Sequence, residues 1–422
     1  MNQIFKSRIR RTKYSRILFS MNPRRSLYKL DDLPFLFNSL IDEEISLSED
    51  NIFNRVNAVC TDDQGVKEQL VKQLQRDIKS YLSEQKRLEL EIEIEKFIVK
   101  EGLEIREADK QHNVLKAMAA YATSHRHYGP VILEWALSLL DTALVEGRKL
   151  IFLARDGIAP YKAARHLKKV NSPKYNSIDL SLVYISRTLA YSSSLMDEKI
   201  SSSDRHVKRY VQSLKKRDPF ILKKYIVQET GLKEKDRCIF IDVGFGGSLI
   251  PPIMSQLQGL GIDAEFCYLI SHTTKTKVEE IGYNARGFLA HREKRPLNVV
   301  DKAGGNPAIH WIEDTHQSIV CSAKILITSK SGKIVPATVV KVDKEFQIQE
   351  VVGENPSTCK HLPDEYLVKT YGLKGVLDAV YSHESKSGHP VAWREASEAR
   401  RMDFGEFLDT FHNHQRVLLI KH

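Results

Sequence analysis

Two aspartates lie at positions suited to a catalytic or binding site, each directly after a short apolar run that is predicted to be a strand. Asp156 follows Lys149-Leu-Ile-Phe-Leu-Ala-Arg155, and Asp242 follows Arg237-Cys-Ile-Phe-Ile241. Each run is partly β-branched or aromatic, ends in a polar turn with glycine and precedes a helical pattern, as is typical of a buried parallel strand. Ligands of open α/β sheets bind at the carboxyl ends of the strands. We therefore expect Asp156 and Asp242 to share one site.

The turn after Asp242 has the composition of an anion-binding loop. Its three glycines are Gly244, Gly246 and Gly247. Glycine permits positive φ and close approach of a ligand. Ser248 is predicted to be the N-cap of a helix with two prolines in its first turn, and the amides and dipole at such a helix start favour phosphate. The spacing matches neither Walker A nor the dinucleotide-binding pattern, so the alternative is a tight strand-to-helix turn without a ligand.

A metal and a phosphate are the ligands that these side chains would hold together. Asp156 and Asp242 would each give one carboxylate to Mg²⁺, with water and phosphate oxygens completing the octahedron. Ser186, at the end of a further predicted strand, would hydrogen-bond the phosphate.

The residues beside these three would complete the phosphate site. Arg155 or Arg187 would neutralise the phosphate bidentately, and Gly157 would line the same site. The alternative is that the arginines and aspartates pair with each other as a structural network.

The elements that must position these residues alternate between strand and helix. The predicted strands are 149–154, 182–185, 238–241 and 266–270. A helix follows the first strand from Pro160, and residues 113–146 form a helical region broken at Tyr128-Gly129-Pro130. Strands alternating with helices predict an α/β fold with a parallel, doubly wound sheet.

The flanking regions read as mostly helical. Residues 66–100 form one or two long helices with an apolar stripe, which either packs on the protein's own core or docks a partner. Later predicted elements are a hairpin (Ala323–Thr328 with Ile334–Val342) and helices at 309–315, 363–382 and 394–418. The predicted organisation is a basic flexible arm (1–30), a helical region (31–112), an α/β domain (113–345) and a C-terminal helical segment (346–422).

The net charge of +10 is concentrated at one end. Residues 1–30 hold nine Lys/Arg and no Asp or Glu, which leaves +1 for the other 392 residues. This arm is a solvated terminus, a segment that touches anionic lipid or nucleic acid, or an organelle-targeting peptide. Nucleic-acid binding is disfavoured, because the body of the chain is nearly neutral and a second basic run, 205–224, has few aromatics among its charges.

Cysteine usage and hydropathy indicate a cytoplasmic protein. The five cysteines are scattered and never form a C-x-x-C pair, which is typical of reduced thiols without a zinc site. No run of 18 or more apolar residues occurs, so no transmembrane segment is predicted.

Three motifs in order carry a resemblance to a known superfamily. Phe152-Leu-Ala-Arg-Asp-Gly157, Tyr184-Ile-Ser-Arg187 and Ile241-Asp-Val-Gly-Phe-Gly-Gly-Ser248 resemble predicted haloacid-dehalogenase-like (HAD-like) hydrolases, found in bacterial polysaccharide-biosynthesis proteins. The helix with Gly129-Pro130 and the later Trp311-Ile-Glu-Asp-Thr-His-Gln-Ser318 look similar too. The match spans about residues 113–340 and implies a Rossmannoid fold with helices on both faces of the sheet.

What the resemblance implies for chemistry depends on the first motif. In that superfamily the first strand ends in Asp-x-Asp, the second ends in Ser/Thr, and the last supplies a metal-binding acid. The resemblance implies the second of these roles for Ser186 and the third for Asp242. If Asp156 is the second aspartate, the nucleophile position is Ala154; if Asp156 is the nucleophile, the acid/base position is Ile158. Either alignment lacks one carboxylate. The third-motif lysine cannot be placed, because the basic run at 205–224 offers several candidates.

Two functional hypotheses follow. The first is a Mg²⁺-dependent HAD-like hydrolase or phosphotransferase acting on a phosphorylated small molecule. The second is a catalytically inert HAD-like scaffold that binds a phosphorylated ligand, or a protein partner through helices 66–112.

Overall fold

A five-stranded, entirely parallel sheet forms the centre of the protein, in the strand order β2-β1-β3-β4-β5. The strands are β1 (Lys149–Ala154), β2 (Leu180–Tyr184), β3 (Arg237–Asp242), β4 (Asp263–Ser271) and β5 (Asn284–His291). This is a doubly wound order in which the chain reverses direction between β1 and β3. The predicted α/β fold with a parallel sheet is confirmed.

The architecture comes from a computed structural model, which describes residues 75–76, 78–194, 218–243, 247–271, 284–291, 323–342, 345–351 and 363–383. All of these residues belong to one compact unit, Lys67–Lys421. The basic arm, the basic run up to residue 217 and the predicted helices at 309–315 and 394–418 lie outside the described residues, as do Gly244 and Gly246.

Helices cover both faces of the sheet. They are α1 (Glu84–Lys100), α2 (Glu107–Thr123), α3 (Gly129–Glu146), α4 (Ile158–Val170), α5 (Ser172–Tyr175), α6 (Arg187–Ser194), α7 (Ile221–Thr230), α8 (Ile250–Leu257) and α9 (Pro363–His383). Helices α3 and α7 both end at a glycine with positive φ, 63° at Gly147 and 60° at Gly231. Glycine takes this left-handed conformation without steric cost, so it stops a helix sharply.

Alternation along β1 divides the interior into two cores. Leu150 and Phe152 face a core shared with α1, α2, α3, α4 and α9, which we call the first face. Ile151 and Leu153 face a core shared with α6, α7 and α8, the second face. Successive strand residues point to opposite faces, and a parallel sheet with both faces buried needs apolar residues at both. That is why the strand sequences are nearly continuous apolar runs.

The helical region before β1 is continuous, in contrast to the predicted break at Tyr128-Gly129-Pro130. A π-helical turn, Ser124–Tyr128, joins α2 directly to α3. Pro130 lies in the first turn of α3, where a missing amide hydrogen costs no hydrogen bond. The resulting helix, Glu107–Glu146, is long and apolar enough to cross a membrane by length and composition, but 61% of its most apolar window is buried inside the protein. Such burial is usual for a core helix of a soluble protein.

A small antiparallel sheet packs on the second face. Its strands are β6 (Ile325–Thr328), β7 (Ile334–Val342) and β8 (Glu345–Glu350). The predicted hairpin is confirmed, and β8 extends the sheet past residue 345, where the sequence indicates a helical segment. The side-chain amide of Gln228 on α7 donates to the Ile334 carbonyl at 2.8 Å and accepts from its amide at 2.9 Å. Gln228 therefore fixes the small sheet to the helical layer.

Candidate functional site

The predicted site residues follow three adjacent strands at one edge of the sheet. β1 pairs with β2 up to Ala154 and Tyr184, and with β3 up to Phe152 and Ile241. Asp156, Ser186 and Asp242 lie within two residues of these positions. The carboxyl ends of β2, β1 and β3 therefore bring all three to the edge where the strand order reverses, the usual place for a ligand in this architecture.

Gly157 lies in the turn after β1, where its backbone packs closely against the backbone of Leu153. Its amide donates to the Leu153 carbonyl at 2.8 Å. A Cβ at this position would stand 2.5 Å from the same oxygen, which no real side chain does. The φ of −71° is ordinary, so space alone requires glycine here. The amide of Gly157, predicted to bind phosphate, is instead used within the turn.

Asp242 is the last residue of β3 and points to the second face. It is paired in register with Tyr268 of β4, a phenol with 2% of its surface exposed. Its Oδ1 also accepts from the Val243 amide at 2.9 Å. Burial raises the pKa of Tyr268 well above its ordinary value, and the charge of Asp242 raises it further. Tyr268 is therefore a neutral hydroxyl beside this carboxylate.

The charge of Asp156 affects the pKa of Tyr128, a tyrosine in the core of the first face. Tyr128, at the end of the π-helical turn, is fully buried and packs in the same core as Ala154 and Ile158. Burial raises the pKa of Tyr128 well above its ordinary value, and the charge of Asp156 raises it further. The two aspartates thus lie at neighbouring strand ends, and the charge of each raises the pKa of a buried tyrosine.

Ser186 has a structural role that the sequence does not predict. Its hydroxyl donates to the Ala323 carbonyl before β6 and accepts from the Leu189 amide at 3.1 Å. A hydroxyl has one proton to donate. That proton ties α6 to the small sheet, so the predicted hydrogen bond from Ser186 to phosphate would require this tie to break.

Arg187 and Ser248 meet across the end of β1. Arg187 follows β2 and Ser248 follows β3, yet Arg187 Nε donates to Ser248 Oγ at 3.1 Å. Strands β2 and β3 flank β1, so this hydrogen bond joins the segments that follow the two neighbours of β1. Tyr191, one turn later on α6, donates from its hydroxyl to the Ser248 carbonyl at 2.9 Å. Two side chains of α6 thus hold the turn that follows β3.

The start of α8 differs from the prediction. Leu249, not Ser248, occupies the N-cap position, and no side chain caps the helix. The Ile250 amide donates to the Gly247 carbonyl at 3.0 Å, and the next two residues are prolines without amide hydrogens. Among the described residues of this turn, the amides that could bind an anion are therefore those of residues 247–249, just before the helix. Gly247, with φ of 61°, provides the left-handed conformation that this turn needs.

Neither predicted phosphate-binding arginine has an acidic partner in the described part of the chain. Among the described residues, the Arg187 guanidinium donates a hydrogen bond to Ser248, and no ion pair joins Arg155 or Arg187 to a carboxylate. By contrast, Arg148, Arg237 and Arg286 all pair with carboxylates. This arrangement disfavours a network in which the site arginines and aspartates neutralise each other.

The donor set fits Mg²⁺ better than a transition metal. Within the described ranges, no group of three or more His, Cys, Asp or Glu side chains could hold a metal ion. Mg²⁺ needs only one or two protein carboxylates, because it keeps several waters and binds phosphate oxygens. Asp156 and Asp242, both partly buried at neighbouring strand ends, are the residues that would hold it.

Three tyrosines near the site were not predicted from the sequence. Tyr128 and Tyr268 have their pKa values raised by the charges of the two aspartates, and only the tertiary structure reveals these relationships. Tyr191 did leave a signal, because it lies four residues after Arg187, the spacing that puts two side chains on one face of a helix.

The function of the site must be inferred from its local geometry. No protein-family model matches the sequence, and no curated protein matches it.

Proposed function

We propose that the protein is a cytoplasmic, Mg²⁺-dependent enzyme of HAD-like fold that acts on a phosphorylated small molecule. The observation that carries this proposal is the contact between Arg187 and Ser248, which joins the turns after β2 and β3 and holds an arginine that has no acidic partner among the described residues. A guanidinium in that position binds a phosphate dianion through its remaining N–H groups. Asp156 and Asp242 lie at the same edge, so phosphate and metal would be adjacent.

Each group would have a distinct task. Bound Mg²⁺ would neutralise phosphate oxygens and orient the phosphoryl group. Arg187 and the amides of residues 247–249 would bind the remaining oxygens and fix the phosphorus atom above the end of β1. The carboxylates of Asp156 and Asp242 would serve as oxygen ligands of the metal.

The reaction remains open between hydrolysis of a phosphomonoester and transfer of a phosphorylated group. Ordinary HAD-type hydrolysis uses two carboxylates at the end of the first strand. Here the alternative positions hold Ala154, 8% exposed, and Ile158, 2% exposed. Neither can move a proton, so an acid/base must come from substrate, water or another residue. Precursors of bacterial polysaccharides are the substrate class that the resemblance implies.

A catalytically inert scaffold is the second candidate, favoured by a specific observation on Ser186. The hydroxyl that would contact phosphate is bonded to Ala323 instead. A scaffold would bind a phosphorylated ligand at the same edge, or a protein partner through the region 66–112. In that region Leu88, Ile92 and Val99 of α1 are 56%, 51% and 79% exposed.

Two measurements on the full chain separate these functions. A panel of phosphomonoesters and nucleotide-linked sugars is incubated with Mg²⁺, and released phosphate or transferred product is followed. Binding of inorganic phosphate with Mg²⁺ is measured in parallel by calorimetry. The enzyme hypothesis expects turnover that falls to background in Asp242→Asn and at least tenfold in Arg187→Ala, as is usual for a lost charge-assisted contact in phosphoryl chemistry.

The matched control for Arg187→Ala is Arg165→Ala, which removes an exposed arginine from α4. It should leave turnover and phosphate binding unchanged. Phosphate binding without turnover in every variant would favour the scaffold, and no phosphate binding by the wild type would refute both phosphate-based functions.

A further inference from the structure

Tyr191 contacts the candidate site without facing the ligand position. Its hydroxyl donates to the Ser248 carbonyl at 2.9 Å, while Arg187, one turn earlier, donates to the Ser248 hydroxyl at 3.1 Å. Residues four apart lie on the same face of a helix. α6 therefore holds both the side chain and the backbone of Ser248.

The backbone contact sets the direction of an amide. In a trans peptide unit the carbonyl and the following N–H point in opposite directions. Because the Ser248 carbonyl points to Tyr191, the N–H of Leu249 points away from α6. In the described part of the chain the amides of residues 247–249 donate to no backbone acceptor, whereas the next amide, of Ile250, bonds to Gly247.

The ring of Tyr191 also fixes the spacing between α6 and the turn. The hydroxyl is partly buried at the contact, and α6 packs against α8, which follows the turn. At its other end α6 is tied to the small sheet through Ser186 and Ala323. The contacts of Ser186, Arg187 and Tyr191 thus hold the first half of α6 against the small sheet and against Ser248.

We propose that Tyr191 is a positioning residue for phosphate: it orients the turn at residues 247–249 so that backbone amides and Arg187 converge on one anion. This inference rests on the proposed function. The phenol would not touch the phosphate, and it would act through the Ser248 carbonyl. Loss of its hydroxyl should weaken phosphate binding while leaving the metal carboxylates intact.

The test compares Tyr191→Phe with the wild type in two titrations. Inorganic phosphate is titrated in the presence of Mg²⁺, and Mn²⁺ is titrated alone by electron paramagnetic resonance. We expect phosphate affinity to fall roughly three- to tenfold, as one hydrogen bond is lost, with Mn²⁺ affinity unchanged. Hydrogen exchange of the Ile250 amide, which donates to the Gly247 carbonyl across this turn, should become faster without ligand.

The control is Tyr175→Phe, which removes a buried hydroxyl that donates to Asp141 at 2.8 Å, away from the carboxyl edge. It should change none of the three readouts. Unchanged phosphate affinity and exchange in Tyr191→Phe would overturn the inference alone. An equal loss of phosphate and Mn²⁺ binding would also overturn it, because that pattern indicates general loosening. A wild type that binds no phosphate would overturn the proposed function and this inference together.

Discussion

Tyr268 lies directly beside Asp242 in the parallel pairing of β3 and β4, so a buried phenol and a partly buried carboxylate point to the same face of the sheet. Ionising Tyr268 there would place a second negative charge next to the first, in a region that excludes water. Burial is the larger cause of its raised pKa and the carboxylate the smaller. The candidate site is thus built with neutral phenols beside its acids.

Raised tyrosine pKa values predict a loss of stability in alkali. The buried tyrosines concerned are Tyr121, Tyr128, Tyr225, Tyr268 and Tyr371. Unfolded tyrosine ionises near pH 10. Because the folded-state pKa is higher, the unfolded chain loses protons first, so stability is complete below about pH 10 and declines above it.

Absorbance at 295 nm against pH, recorded with circular dichroism, tests this expectation. Ionisation of these phenols should coincide with unfolding. In Tyr268→Phe one such phenol is absent, so the free energy of unfolding should fall less steeply above pH 10. Full ionisation near pH 10 in a chain that is still folded would contradict the burial argument.

Asp242→Asn should separate metal binding from folding. Asparagine keeps an oxygen that accepts from the Val243 amide, a bond of 2.9 Å in the wild type, so the turn should survive. The lost charge should weaken Mg²⁺ or Mn²⁺ binding by on the order of tenfold or more, the loss seen even for outer-shell partners of metal ligands.

The control is Asp179→Asn, which neutralises an exposed aspartate immediately before β2, at the other edge of the sheet. Titration with Mn²⁺ should show no change there. Equal binding by Asp242→Asn and the wild type would remove Asp242 from the metal site.

The sheet was predictable because its central strands are short apolar runs followed by polar turns. β5 was missed for a physical reason: it lies at the edge of the sheet and carries Arg286, which pairs with Glu265 at 2.8 Å. An edge strand with a charged residue does not form an apolar run. The helix break was a wrong prediction because Gly129 and Pro130 also fit the first turn of a helix that continues from a π-helical turn.

The strand ends of the candidate site were predictable, but the partners of its side chains were not. Ser186 is bonded to Ala323, 137 residues later, and Arg187 to Ser248, 61 residues later. No local pattern encodes such separations. The sequence could place Asp156 and Asp242 at one edge of the sheet, but only the tertiary structure shows that Asp242 is paired in register with the buried Tyr268.

Gly375→Ala should destabilise the contact between α9 and α2. A Cβ at residue 375 would stand 2.3 Å from the Tyr121 carbonyl oxygen, so the helices must move apart. Overpacking of this kind costs about 1–3 kcal/mol in the free energy of unfolding, measured by denaturant titration. Gly259→Ala is the control, because its Cβ would meet only Lys223 Nζ at 3.6 Å, an ordinary contact. Similar losses in both variants would mean that helix crowding is not the cause.

Arg148 should stabilise the amino edge of the sheet, opposite the candidate site. Its side chain is 7% exposed and donates to the Asp263 carboxylate at 3.0 Å, the Asp263 carbonyl at 3.2 Å and the Cys238 carbonyl at 3.4 Å. Arg148→Met would leave these acceptors without the donor, and charge-assisted bonds of this kind contribute about 1–3 kcal/mol. Arg237→Met tests the same carboxylate from a side chain that is 46% exposed, and an exposed pair contributes only about 0–1 kcal/mol.

The contribution of Asp263 to the free energy of unfolding should depend on pH. Hydrogen bonds from Arg237 and then Arg148 lower the pKa of Asp263. A lowered folded-state pKa means that the contribution of Asp263 is present above the unfolded pKa, near 4, and is lost as pH falls through the folded value. Unfolding titrations from pH 7 to pH 3 should therefore show a smaller difference between Arg148→Met and the wild type at the acid end. A difference independent of pH would assign the loss to the two carbonyl contacts alone.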